Sequence, residues 1–278
     1  MPSSNYALSW DAPKDRLYET GIDRVVLYKQ DSNGEYPLGV AWNGVTGVTE
    51  SPSGADESAL YADNIKYLSL RSAEEIGGTI EAYTYPDEWK ECDGRRDLVP
   101  GLEVSQQVRK AFGLAYRTIL GNDIEDNDYS YKLHLFYNLT ASPSERAYAT
   151  VNDSPEAITF SWELTSTPIP MPSGLKASAL LTIDASKADP TALANLESVL
   201  YGNAGTVSYT ATQDATPQAS KTYYTRSGSA EPYTYTVFTG ETFAQGTTYY
   251  EKVTTGAADA RMPLPEEVYQ ILSGTSVG

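Results

Sequence analysis

The chain has 278 residues and sets 20 Lys and Arg against 37 Asp and Glu, a formal net charge of −17, with one His, one Cys and 22 Tyr. A single thiol, Cys92, rules out an intrachain disulfide framework and a cysteine-based zinc site, and an acid surplus this large opposes adhesion to nucleic acid, which proteins grip through Lys and Arg clusters. No run reaches the roughly 18 to 20 apolar residues of a membrane span, and Met1 to Trp10 lacks a basic stretch followed by an apolar core, so the expectation is a folded product of the cytoplasm with no membrane partner.

From Tyr6 to Thr165 the chain reads as strands, because β-branched and aromatic residues alternate with polar ones between short turn signals. Strands are predicted at Tyr6–Trp10, Asp23–Lys29, Leu38–Trp42, Lys66–Arg71, Thr79–Tyr85, Phe112–Leu120, Tyr131–Thr140, Ala147–Val151 and Ala157–Thr165. In the last of these, Ile158, Phe160, Trp162 and Leu164 share one face, while Glu163 and its small polar neighbours share the other. The pair Asn33-Gly34 and the acidic stretch Gly121–Asp128 supply turns. Asn43–Asn64 shows no sustained periodicity and is long for a connection without work to do. It is read as a loop that reaches a neighbouring molecule, with Ser51, Pro52, Ala55, Leu60, Tyr61 and Asp63 as its contact residues.

Helical signals are fewer. Pro86 to Cys92 opens with Pro and acids, which suits a short helix. Asp189 can cap a helix that begins at Pro190 and carries Leu193, Leu196, Val199 and Leu200 as a stripe, ended by Gly202. Met262 to Leu272 has the same Pro and acid start. Between Ala204 and Ala257 the texture changes to Thr, Ser, Gly and Tyr with nearly balanced charge. Lys221-Thr222-Tyr223-Tyr224-Thr225 is echoed by Thr247-Thr248-Tyr249-Tyr250-Glu251, and the segment is read as a small β domain inserted into a main domain of residues 1–203 and 258–278.

Catalytic chemistry finds little to work with. His134 is the lone histidine and lies inside a predicted strand, where a satisfied structural role is expected. There is no Gly-x-Ser-x-Gly elbow and no phosphate loop. Asp123, Glu125, Asp126 and Asp128 lack the central Gly and distal Glu of an EF-hand and read as a solvated hairpin tip. Cys92 has no paired His or second Cys nearby and reads as a half-buried packing residue. The expectation is a protein without catalysis, metal or cofactor.

Longer strings point to a class. Thr49-Glu50-Ser51-Pro52-Ser53-Gly54-Ala55, Leu60 to Leu68, Gly77-Gly78-Thr79-Ile80-Glu81-Ala82-Tyr83-Thr84-Tyr85-Pro86, Phe112 to Thr118, Tyr131 to Leu135 and Asn152 to Glu163 together resemble the major tail proteins of long-tailed phages (siphophages) of Gram-positive bacteria. The resemblance spans Tyr6 to Gly202 and resumes at Arg261 to Leu272; residues 204–257 depart from it. It implies a mainly β chain: a tail-tube β-sandwich with a flanking helix and a long loop, with the insert on the tube exterior. It further implies a virion protein that self-assembles into stacked hexameric rings. In such a ring each subunit lends four strands to an inner barrel, and a long loop, matched in position by Asn43–Asn64, reaches the next subunit.

Implied partners are further copies of the chain and the tape measure, tail terminator and distal tail proteins, with the genome passing through unbound. About 24 strands at about 4.8 Å spacing and about 45° tilt close on a wall roughly 50 Å across, wide enough after side chains for duplex DNA. Acidic strand faces, with Glu81 and Glu163 as candidates, would line that channel and offer phosphate no attractive well. A reading from a different class is a surface adhesin or carbohydrate-binding protein acting through the Tyr-rich insert, since exposed aromatic rings stack on sugars.

Overall fold

The computed structural model describes residues 10, 13–54, 56–148, 150, 157–228 and 232–274. Two compact units emerge: a body of residues 1–201 with 259–278, and a module of residues 202–258. Of two expected strands, Tyr6–Trp10 lies outside the described residues except for Trp10, which is in no strand, and Ala147–Val151 is not a strand where it is described. Pro143 lacks a ladder donor just upstream, and the segment is held instead by side chains such as that of Arg146.

The body's strands are β1 (Tyr18–Lys29), β2 (Gly39–Ala41), β3 (Val45–Gly54), β4 (Glu57–Ala62), β5 (Ile65–Arg71), β6 (Glu74–Ala82), β7 (Arg96–Val99), β8 (Leu102–Val104), β9 (Phe112–Asn122), β10 (Asp126–Ala141), β11 (Phe160–Ser166) and β12 (Leu180–Asp184). Its helices are α1 (Trp89–Cys92), α2 (Pro190–Tyr201) and α3 (Pro265–Ser273). The body is therefore mainly β, as the alternation in the sequence requires.

The long strand β10 organises the rest. Between Lys132 and Phe136 it pairs with β12 on one side and β9 on the other. At Asn138, where φ is 50°, a bulge bends it, and Leu139 to Ala141 pair with β11 instead. Bulges redirect a strand in this way. One sheet thus forks into two layers, β2-β1-β9-β10-β12 and, beyond the bend, β11-β6-β3.

The first layer is buried on both faces, which is why Phe112 to Tyr116 reads as an unbroken apolar run rather than an alternation. Leu27, Leu114 and Phe136 meet Ile80, Trp162 and Leu164 of the second layer. On the opposite face Tyr28, Leu133 and Leu135 meet Leu193, Leu196 and Leu200 of α2 and Val268 of α3. Gly113 lets Met262 pack close against this face, since a Cβ on it would stand 2.6 Å from the Met262 sulfur and displace that side chain. Between the layers Trp42, Trp89 and Trp162 pack with ring centroids 4.6 to 5.7 Å apart. Asp189 caps α2 as expected, its Oδ1 accepting the N–H groups of Thr191 and Ala192 at 3.0 and 2.9 Å. In the turn after β1 only Gly34 has positive φ; the Asp31 carboxylate, accepting from the N–H of Asn33 and Glu35, sets the turn that the Asn-Gly pair was expected to set.

The module is one four-stranded antiparallel sheet of β13 (Thr206–Ala211), β14 (Tyr223–Ser227), β15 (Thr234–Phe238) and β16 (Tyr249–Thr255), in the order β13-β16-β14-β15. Its register repeats itself. Tyr209 and Thr210 of β13 face Lys252 and Glu251 of β16, and at the same sequence offset Tyr235 and Thr236 of β15 face Arg226 and Thr225 of β14. The central pair is self-symmetric about Tyr224 opposite Tyr250. Each half also ends its loop alike: the Tyr223 hydroxyl accepts the Gln218 N–H at 3.2 Å, and the Tyr249 hydroxyl accepts the Ala244 N–H at 3.0 Å. The module is a tandem duplication folded around a pseudo-twofold axis, with each half's first strand paired to the other half's last. Tyr209 and Tyr235 stack on each other, their centroids 3.8 Å apart.

Candidate assembly surface

The outer face of the second layer is small and polar. Gly47, Thr49, Ser51 and Ser53 of β3 lie beside Glu81, Thr79, Gly77 and Glu75 of β6, and these lie beside Ser161, Glu163 and Thr165 of β11. Glu81 and Glu163 are exposed on adjacent strands, Glu81 opposite Ser161 and Glu163 opposite Thr79. The charges among these paired positions are all carboxylates, so this face presents negative potential over a flat, hydroxyl-rich surface. On its buried side Glu50 accepts a hydrogen bond from Tyr116 and stands 3.3 Å from the His134 ring. His134, stacked on Tyr116 and 3.0 Å from the Thr118 hydroxyl, is a satisfied interior residue. The His134 hydrogen bond, and next to it that of Tyr116, holds the Glu50 carboxyl below the usual range against the opposing effect of burial.

β3 ends the second layer, and its edge away from β6 has no strand partner among the described residues. The expected loop of Asn43–Asn64 is corrected here. Ser51 and Pro52 belong to β3, opposite Gly77 and Ile76, and Leu60 and Tyr61 belong to β4, which pairs with β5 as a two-stranded hairpin. Ala55 lies outside the described residues. Asp63 and Asn64 turn the hairpin with φ of 51° and 63°, the left-handed pair that a tight two-residue connection demands. The sequence showed no periodicity because both faces of this hairpin are open to solvent, so nothing forces apolar and polar residues to alternate.

Tyr61 is 71% and Tyr67 70% exposed, and Leu60, Ile65 and Leu70 are exposed beside them. The base is tied where the Ser72 N–H donates to the Asp56 carbonyl at 3.1 Å. A two-stranded ribbon with no buried face is marginal by itself, and clustered exposed apolar side chains mark an interaction surface.

A second exposed hairpin, β7 with β8, was missed. Leu98, 70% exposed, Val99, Leu102 and Val104 line it. The turn Pro100-Gly101, with φ of 86° at Gly101, was a legible signal. Cys92, expected half-buried, is fully enclosed, and burial pushes its thiol up to about 12. No helix among the described residues is long and apolar enough to cross a membrane.

No family model matches the chain, and no curated protein matches it. Among solved structures, a chain of the sheath-tube complex of an extracellular contractile injection system (PVC), in its extended state, is similar with a TM-score of 0.26 and 13% identity, over 58% of this chain and 88% of that one. So loose a superposition identifies no relative.

Proposed function

We propose that this protein is a structural, non-catalytic subunit that polymerises into a tail-type tube: copies join second-layer sheets edge to edge, and the β4–β5 arm of one lies on its neighbour. The observation that carries this reading is the arm itself, an apolar ribbon without a core that is stable only against another surface. The open edge of β3 supports it, because such an edge pairs with another strand unless it is blocked. The polar face carrying Glu81 and Glu163 would then turn inward and line the bore, where carboxylates repel the phosphates of passing DNA. Hexameric rings, genome ejection, a place in a siphophage virion, the tape measure, terminator and distal tail partners, and a module on the outside rest on the sequence resemblance.

Electron microscopy of the purified chain at high concentration tests the proposal. Hollow tubes are expected. Monomers alone, even with tail-initiating partners added, would overturn it.

A second reading is favoured by one feature of the module. Tyr209, Tyr233 and Tyr235 gather with Val207, Ser208 and Pro232 around an open pocket, a setting suited to stacking on a sugar ring. Glycan-array binding that disappears when residues 204–257 are removed would establish that adhesive role beside the structural one.

A further inference from the structure

In a chain with so large an acid surplus, three arginines converge on one pocket of about 670 Å³, lined by Arg95, Arg109 and Arg146 with Asp93, Gln107 and Tyr148. Two of the guanidinium groups are spoken for. Arg146 pairs with the buried Asp93 and lies over the Tyr85 and Phe160 rings. Arg95 stands 3.4 Å from the same Asp93 and 3.3 Å from Glu103, which Lys90 also approaches at 3.7 Å.

Arg109 has no acid partner among the described residues, and its Nε is buried without any hydrogen bond. Gly94 makes room for it: with φ of 74°, a Cβ there would lie 3.2 Å from both Cγ and Cζ of Arg109. The backbone around it is fixed, Gln107 N–H donating to the Gly94 carbonyl at 2.9 Å and Lys110 N–H to the Glu91 carbonyl at 3.1 Å. A guanidinium that lines an open pocket, held in place and without an acid partner, attracts a carboxylate to its remaining N–H groups.

The complementary group stands on the same molecule at the other end of β9. Arg109 precedes Phe112, the first residue of β9; Asn122 ends the strand, and the acidic turn follows. Eleven extended residues separate the two by roughly 35 Å. In the turn, Lys14 engages Asp123 and Glu125, while just after it the exposed Asp126 and Asp128 side chains at the start of β10 have no partner among the described residues. Ile124 is exposed at the tip of the turn, as Leu98, Val99 and Leu102 are exposed on the hairpin that flanks the pocket. Knob and receptor therefore match in charge and in apolar surface.

We infer that copies of this chain stack head to tail, the tip of the β9–β10 hairpin of one, with Asp126 and Asp128 at the start of β10, entering the arginine pocket of the next and pairing with Arg109. A contact between two different patches of the same protein repeats head to tail, and where its rotation does not close a ring it extends along an axis. The inference rests on the tube reading and names its axial contact.

Charge exchange tests it. Arg109→Glu alone, and Asp126→Lys with Asp128→Lys alone, are each expected to raise the concentration needed for polymer about tenfold or more by setting like charges face to face. The triple variant carrying all three changes restores opposite charges and is expected to polymerise near the parent concentration. Tryptophan fluorescence and circular dichroism verify that each variant is folded. If the parent forms tubes while the reversals have no effect, or folded reversals fail and the triple variant does not recover, this contact is wrong and the tube reading stands. A parent that never polymerises takes both down.

Discussion

The body and the module solve the same problem, burying enough surface to fold, by different means. The body closes two faces of one central layer with aliphatic residues, three tryptophans and two helices. The module, which has no helix among its described residues, packs Tyr223, Phe238, Phe243 and Tyr249 on one another and doubles a single short unit. The body is a one-off in which every layer depends on the bend at Asn138, whereas the module is a repeat whose halves are interchangeable in register. Mutations should therefore stay local to the unit they strike.

The largest effect is expected from Trp162→Ala, which empties the centre of the tryptophan cluster and costs about 3–5 kcal/mol. All four tryptophans belong to the body's stretch of sequence, so tryptophan fluorescence follows the body alone during denaturant unfolding. Its midpoint should fall steeply while hydrogen exchange at the module's strand amides stays in place; a joint shift would show that the two unfold as one. Excising residues 204–257 makes the complementary cut. Asn203 and Ala258 exchange backbone hydrogen bonds of 2.8 and 2.9 Å, so the ends to be joined are neighbours, and the body's midpoint and its polymerisation are expected to survive.

Within the module, Tyr249→Phe frees one loop N–H and should cost about 1 kcal/mol. Tyr223→Phe should cost more, because that hydroxyl also donates to Asp214 at 2.6 Å. Equal losses, measured by hydrogen exchange at the module's strand amides, would mean that the carboxylate contact adds nothing to the symmetric clasp. The smallest effect concerns pH. Glu50 has a folded pKa below its ordinary 4.5, so its contribution is complete above pH 4.5 and is lost as pH falls through the lower folded value. Glu50→Gln should flatten that acid limb of the body's stability curve, with the module's limb unchanged.

What was legible in the sequence follows the same division. The cap at Asp189, the stripe on α2 and the half-buried face of β11 were readable because each is set by neighbours in sequence. The arm was misread, since its order comes from a turn at Asp63-Asn64 and not from an apolar face. Arg95, Arg109 and Arg146 could not be joined on paper, because only the fork in the sheet brings the segments after α1, after β8 and after β10 to one place. Similarly, the echo of Tyr223-Tyr224 in Tyr249-Tyr250 was visible, but the matching of Tyr209 with Tyr235 needed the strand order.

Strand exchange in the module has a consequence for how such a piece arises. A chain with only one copy of the repeat would expose two unpaired strand edges and could complete its sheet only with another molecule. Fusing two copies in tandem places the missing strands on the same polypeptide, where the Ser227–Thr234 connection keeps their local concentration high whatever the number of molecules present. A domain of this kind enters a host protein as a finished pair, able to fold without recruiting a partner and without adding an open strand edge to its carrier.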